Sequence, residues 1–331
     1  MSYTLLIIDP QVDFHEGGSL AVAGATADST NIIKLLNSKA PAKVIVSLDT
    51  HTPTHVGHHG FWVDKDGNHP NSFTPMSVES GTIISRAGAV VTEWMPARAE
   101  LKDWALYYVE NLPTNGRGTM LVWPDHCLEG STGHKVYPDL KAKLDTLTVP
   151  VEYHMKGQNE ASEMYSLFAA ELPVENYEFA PKDLYTGGRP TQSTSLSTSG
   201  DDATGAFLQT TDNEKLVLEL AEGGRPIVVC GEALSHCVNW STRDLHRILR
   251  SKGLDNPIIV LRDASSAVGG FESAVDKFME WCAENDVRAI TVDEFIATQS
   301  GGARRNTRRN NRRNRSNRRR NSRARRSSRR N

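Results

Sequence analysis

Short apolar runs rich in β-branched residues recur along the chain, at Thr4–Ile8, Lys43–Leu48, Pro226–Cys230, Pro257–Leu261 and Val287–Val292. Each is followed by a turn or an acid, the pattern of strands buried on both faces of a parallel sheet. Between them the period changes to that of helices: Ile32, Ile33, Leu35 and Leu36 share one, Leu216, Leu218 and Leu220 another, and Val238–Leu249 and Ala274–Cys282 give two more. Parallel strands need crossover connections, so the alternation predicts an α/β fold: a three-layer sandwich whose mainly parallel central sheet is flanked by helices.

Two stretches break the rhythm. Residues 52–120 carry a His/Gly/Pro/Asn-rich loop and then a helical segment, Ala99–Leu112, and residues 186–211 are rich in Thr, Ser and Gly. Both read as insertions on a single domain spanning residues 1–300. Beyond Gly301-Gly302 the composition changes altogether. Residues 304–331 hold 15 arginines and no acid, which leaves 23 Lys+Arg against 40 Asp+Glu in the rest. The net charge of −2 therefore averages a body near −17 and a tail near +15. With no apolar side chain beyond alanine to bury, residues 301–331 are expected to be disordered. Such a polyelectrolyte suits RNA, DNA or another anionic partner bound with steep salt dependence, and it lacks the aromatic residues that base stacking needs. Targeting to a nucleus, self-association or folding back on the acidic body are the competing readings of the same charge.

Four cysteines in 331 residues are too few for a disulfide-stapled secreted fold, no apolar run is long enough to span a membrane, and the opening residues lack the plan of a secretory leader. An intracellular setting, cytoplasmic or nuclear, is the expectation, with a homo-oligomer as the expected assembly.

In an open α/β sheet ligands bind at the carboxyl ends of strands. There the chain places Asp9, then Asp49-Thr50-His51, and then Gly231-Glu232-Ala233-Leu234-Ser235-His236-Cys237, with a helix starting at about Cys237. A cysteine at a helix N-terminus is biased towards thiolate, and a carboxylate at a buried strand exit is a candidate general base. Cys127, Cys230 and Cys282 read as inert core residues. Asp49-x-His51 presents both side chains on one face of an extended segment and suits a divalent transition metal. His55, His58, His59 and His126 are candidates for a further ligand, with His58 and His59 read as members of a solvated loop. Lys156, at the end of the alternating run Val151–Met155, could hold a nearby carboxylate and thiol charged.

Five segments in order then match a known pattern: Leu5–Leu20 (LLIIDPQVDFHEGGSL), Asp49–His55 (DTHTPTH), Trp123–Cys127 (WPDHC), Met155–Gly157 and Gly231–Val238 (GEALSHCV). The chain resembles the isochorismatase-like cysteine hydrolases, within them the nicotinamidases and nicotinamidase-related amidases, over residues 1–296 outside the insertions. The resemblance implies a catalytic triad of Asp9, Lys156 and Cys237 and metal ligands at Asp49, His51 and His126, with His55 as an additional one. It implies aromatic pocket walls at Phe14 and Trp123, with Tyr165 as a further wall. It also implies a cis peptide before Ala233 that aims the N–H groups of Ala233 and Cys237 at a developing oxyanion. The cofactor implied is one divalent transition metal, zinc first, with iron and manganese as alternatives. The substrate implied is a small aromatic amide, nicotinamide foremost. Glu232 stands where nicotinamidases carry an apolar residue, and Leu234-Ser235 where they carry Thr-Asp, which points to the related-amidase branch. The alternatives are a relative acting on another small amide or an enol ether, and a nucleic-acid-binding or assembly protein built on a silent hydrolase domain.

Overall fold

The computed structural model describes residues 2–115, 117–174 and 210–299. The basic tail and nearly all of the 186–211 insertion lie outside these residues.

In chain order the elements are β1 (Thr4–Ile8), α1 (Ala25–Ser38), β2 (Lys43–Asp49), β3 (Trp62–Val63), β4 (Pro75–Glu79), β5 (Thr82–Ala87), β6 (Val90–Pro96), α2 (Lys102–Asn111), β7 (Met120–Leu121), α3 (Pro138–Asp145), β8 (Val151–Lys156), α4 (Glu214–Leu220), β9 (Ile227–Gly231), α5 (Cys237–Ser251), β10 (Ile258–Leu261), α6 (Glu272–Glu284) and β11 (Arg288–Ile290). Six of the strands form a parallel sheet in the order β11-β10-β9-β1-β2-β8. Side chains alternate across it as the strand period requires. Leu5 and Ile7 pack with Ile32, Leu35, Leu140, Leu144 and Phe295 on one face, against α1, α3 and the helical segment 292–299. Leu6 and Ile8 pack on the other with Leu216, Leu220, Val238, Leu245 and Phe278, against α4, α5 and α6. The expected three layers are therefore present. The last strand is shorter than the run Val287–Val292, because the chain has already turned helical at Val292.

The stretch 52–120 differs from the sequence expectation. The expected helix is there as α2, preceded by a 3₁₀ turn at Ala99–Leu101. What was read as loop also builds β3 to β6, which join β7 in a five-stranded antiparallel sheet of order β3-β6-β5-β4-β7. Its tight connection between β4 and β5 is made by Ser80 and Gly81, both at positive φ (50° and 77°), the conformation that favours two-residue hairpins. Met76, Ile83 and Trp94 from this sheet bury against Trp104, Ala105 and Tyr108 of α2. Trp62 donates its indole N–H to Val56 O (2.8 Å) and Trp104 to Ala161 O (2.7 Å). The second sheet is thereby tied to the segments on either side of the central strand ends.

Gly231 ends β9 at φ 108°, and a Cβ there would lie 2.0 Å from the carbonyl oxygen of Ile8 on β1. The two strands approach too closely for any side chain. Gly231→Ala is expected to destabilise the protein by about 3 kcal/mol or more, through overlap plus a backbone conformation that L-residues resist. Thermal unfolding followed by circular dichroism measures it, and an unchanged midpoint would contradict the close approach.

Candidate active site

Four neighbouring strands of the central sheet deliver the reactive groups to one edge. β9 leads to Cys237, β1 to Asp9, β2 to Asp49 and β8 to Lys156. Asp49 and Lys156 are register partners at the ends of β2 and β8. Asp9 leaves its strand at φ 41°, donates its N–H to Ser47 Oγ (3.0 Å) and accepts the Ser47 hydroxyl proton at Oδ1 (2.6 Å). The Gln11 side-chain amide donates to Asp49 O and accepts from Asp49 N–H, both at 2.7 Å, so it fixes the end of β2 as a backbone partner would.

Lys156 is fully buried and its ammonium joins the set. Nζ lies 3.0 Å from Asp9 Oδ2, 2.8 Å from Asp49 Oδ1, 3.6 Å from Cys237 Sγ and 2.9 Å from the carbonyl oxygen of Met164. Burial alone would drive off its proton, but Asp49 and Asp9 outweigh that and hold it firmly cationic. Burial pushes the Asp9 carboxyl up, with Lys156 opposing. Burial also pushes the Cys237 thiol up, again against Lys156. A neutral thiol beside a carboxylate of raised basicity is the resting form these shifts favour. All four cysteines are free and buried, so burial does not mark Cys237; the lysine and Asp9 beside it do.

Next to this triad lies a cluster of histidines. The segment 123–129 runs beside 51–58 through the bridges His51↔Leu128 and His58↔Trp123, which sets His126 against His51 and His58. Asp49 Oδ2 lies 3.1 Å from His51 Nε2 and 3.4 Å from His126 Nε2. His51 Nδ1 is 2.9 Å from Gly157 O, His58 Nδ1 3.1 Å from Thr52 O and His126 Nδ1 2.8 Å from Pro124 O. Carbonyls only accept, so these contacts put the ring proton on Nδ1; in His51 and His126 that leaves Nε2 facing Asp49 Oδ2, whereas His58 Nε2 lies 3.2 Å from His126 Nδ1. Donor atoms held about 2.0–2.2 Å from one ion stand about 3.0–3.6 Å apart, the spacing seen around Asp49 Oδ2. The donor set therefore fits a divalent transition metal.

One histidine departs from the sequence reading. His58, placed with His59 in a solvated loop, is fully buried inside the cluster, because its backbone pairs with Trp123 and Gly57 and Gly60 let the loop fold tightly. His59 does stand partly in solvent, 41% exposed. His55 is buried with its ring 4.1 Å from that of His51, but its Nδ1 accepts the N–H of Gly57 (3.1 Å), which puts its proton on Nε2. His58 and His55 both remain candidate ligands beside His51, His58 in a group with His126 and His55 in a group with Glu163.

Above these groups a pocket is lined by Phe14, Leu20, Trp123, Tyr165, His236 and Val268, among others. Phe14, Trp123 and Tyr165 were anticipated from the sequence. Trp123 donates its indole N–H to the Tyr165 hydroxyl (2.9 Å), which fixes the two rings edge to face. His236 was missed, although it immediately precedes Cys237. Its ring is caged by Trp123, Tyr165 and Phe271, and burial pushes it down to about 4, so it is neutral at pH 7. The peptide Glu232–Ala233 is cis. Cys237 opens α5, where first-turn N–H groups have no partner within the helix. Glu232 is buried with Asp28 nearby, and burial first, then that neighbour, pushes its carboxyl well up.

Lys156→Met, which keeps the volume and removes the charge, is expected to destabilise the protein by about 3–5 kcal/mol, since Asp9 and Asp49 would then face each other without a cation. Denaturant unfolding at pH 7 checks this, and a loss under 1 kcal/mol would show that the ammonium is not what holds the two carboxylates together.

No protein-family model matches the sequence, and no curated protein sequence matches it. Solved structures do match. A nicotinamidase and pyrazinamidase from Acinetobacter baumanii superposes with a TM-score of 0.54 at 17% identity, covering 89% of this chain and 98% of that one. The yeast nicotinamidase bound to the inhibitor nicotinaldehyde gives 0.52 at 17% identity, covering 87% and 99%. Identity this low speaks for architecture, and the chain has the fold of the nicotinamidases, a parallel α/β sandwich with its candidate triad at the carboxyl edge of the sheet.

Proposed function

We propose that the protein is a metal-assisted cysteine amidohydrolase acting on small aromatic carboxamides of the nicotinamide type. The observation that carries the reading is the position of Lys156 Nζ. One buried ammonium touches the carboxylate of Asp9, the thiol of Cys237 and the metal-type carboxylate of Asp49, on the floor of an aromatic-walled pocket. The two nicotinamidase structures of the same fold support the choice of substrate class.

The chemistry follows from these groups. Asp9 takes the Cys237 proton as Sγ bonds to the amide carbon, and Lys156 balances the carboxylate and the incipient thiolate. The carbonyl oxygen becomes an oxyanion, held by the N–H groups of Ala233 and Cys237. The C–N bond breaks, the proton on Asp9 passes to the leaving nitrogen, and ammonia departs from a thioester. Water then attacks the thioester while Asp9 accepts its proton, releasing the acid and restoring the thiol. Asp49, His51 and His126 would hold the metal, with His58 or His55 as a further ligand, zinc foremost, with iron and manganese as alternatives. When bound, it supplies a positive charge and an open coordination position beside the ring. Phe14, Trp123 and Tyr165 sandwich the ring and exclude water.

Ammonia release from nicotinamide tests the reading. Cys237→Ala is expected to bring it to background with folding intact, and Asp9→Asn to lower kcat by about 10²–10⁴-fold. His58→Ala should purify with less metal than wild type, whereas His59→Ala should not, by elemental analysis. Full turnover in Cys237→Ala would end the triad assignment.

A second role rests on a different observation, the 15 arginines of residues 304–331. We propose that this tail binds RNA or another polyanion by releasing counterions, without sequence readout. Filter binding of a structureless RNA is expected to weaken by two orders of magnitude or more when the chain ends at Gly302, and to fall steeply with salt for the full chain. Equal binding by both chains would refute it.

A further inference from the structure

Asp28 and Glu232 form a buried acid pair that the hydrolytic steps leave without a task. Glu232 leads from β9 into the turn that carries Ala233 and Cys237, and Asp28 lies in the first turn of α1. They are 5% and 2% exposed, and their side chains lie within hydrogen-bonding reach of each other. The backbone around Glu232 is laced to its neighbours. Its N–H donates to Ile8 O (2.8 Å), and Leu234 N–H donates to Ser266 O (2.7 Å). Val268 N–H donates to Ser235 Oγ (3.1 Å), and Ser266 N–H reaches Glu232 Oε2 (3.4 Å). Gly24, which caps α1, packs so tightly on the same loop that a Cβ there would stand 2.7 Å from Ser266 Oγ. The start of α1, the loop 264–268 and the turn 231–237 therefore meet at these two acids.

Ionised carboxylates only accept hydrogen bonds, so as two anions the pair would repel in a dry site. Among the described residues, the ionisable groups that act on it are Glu16 in the loop before α1, Asp263 after β10 and the Cys230 thiol on β9, and none of these is cationic. Asp28 Oδ2 is buried and no donor among the described residues reaches it, so a donor is what the pair lacks. A proton kept on Glu232 turns one acid into a donor to the other and removes the repulsion. Burial pushes both carboxyls up, which is the direction that keeps a proton there.

We propose that Glu232 is a positioning residue: held as a neutral acid, it donates its proton to the Asp28 carboxylate, and this contact clamps the turn 231–237, with Ala233 and Cys237, against α1. Ionisation of Glu232 sets two anions against each other and opens the clamp. The clamp stands on the acid pair alone; what the turn does for catalysis rests on the amidase reading. Because the Glu232 carboxyl is higher in the folded chain than in the unfolded one, its contribution is complete below the ordinary carboxylate range and is lost as pH rises through the folded value.

The test compares the full-length wild-type chain with E232Q and E232L. Glutamine keeps an oxygen for Ser266 N–H and an NH₂ for Asp28 but does not titrate; leucine removes the donor. Denaturant unfolding is followed from pH 5 upwards. The unfolding constant of wild type relative to E232Q is expected to rise about tenfold per pH unit until Glu232 ionises, because the folded chain holds one proton that the unfolded chain releases. Hydrogen exchange of residues 231–238, read by mass spectrometry at pH 6, is expected to match wild type in E232Q and to be on the order of tenfold or more faster in E232L. Parallel pH dependence in wild type and E232Q, or exchange in E232L no faster than in wild type, would overturn the proposal. So would an extra equivalent of divalent metal in wild type over E232Q, which would make the pair a cation site. If E232L does not fold, the pH dependence of wild type against E232Q decides the matter. Ammonia release from nicotinamide is scored on its own, and there E232L is expected to lose kcat with KM unchanged, since oxyanion donors act on the transition state. Linkage and exchange as expected, without release by any chain, upholds the clamp and ends the amidase reading; release with parallel pH dependence does the reverse.

Discussion

A fully buried ammonium among two carboxylates and a thiol organises this molecule. Lys156 is costly to hide, and Asp9 and Asp49 would be costlier still to hide side by side without it. Each of the three is tolerable only because the others are in place. The sheet order β9-β1-β2-β8 exists, in effect, to end four strands within reach of one nitrogen atom. The same lysine separates two kinds of chemistry. On one side are the thiol and its base, on the other Asp49 and the imidazoles, and a change on either side is felt across the ammonium.

The central sheet and the polar residues at its carboxyl edge are legible in the sequence for a physical reason. A parallel strand buried on both faces must be continuously apolar, and its end must be polar, so Leu5–Ile8 followed by Asp9 announces both a strand and a site. Cys237 is legible because a glycine-led turn and a helix start flank it. The antiparallel sheet announces itself far less. β6 reads Val-Val-Thr-Glu-Trp-Met-Pro, with Val90, Val91 and Met95 exposed and Trp94 buried, so apolar residues fall on both faces and the alternation is blurred. β3 and β7 are two residues each and exist only through their partners.

His58 shows the same limit within the site. Nothing around Thr52–Gly60 has a period, and a histidine-rich loop is polar by composition. Its burial comes from Trp123, 65 positions away, pairing with it in a single bridge. Contacts of that kind are settled by tertiary structure and leave no trace in spacing.

The division between legible and illegible parts coincides with a division of labour. Asp9, Asp49 and Lys156 sit at the ends of sheet strands, where side-chain period and register fix them, and Cys237 opens the helix that follows β9. The pocket-lining groups Trp123, Tyr165, His236 and Glu163 sit outside the central sheet, and the segment carrying Glu163 is braced from α2 by Trp104 and Tyr108. Changing those braces would re-aim Glu163 and Tyr165 without touching the register that joins Asp49 to Lys156. A fold arranged this way can keep the ends of its sheet strands fixed while the lining of its pocket changes.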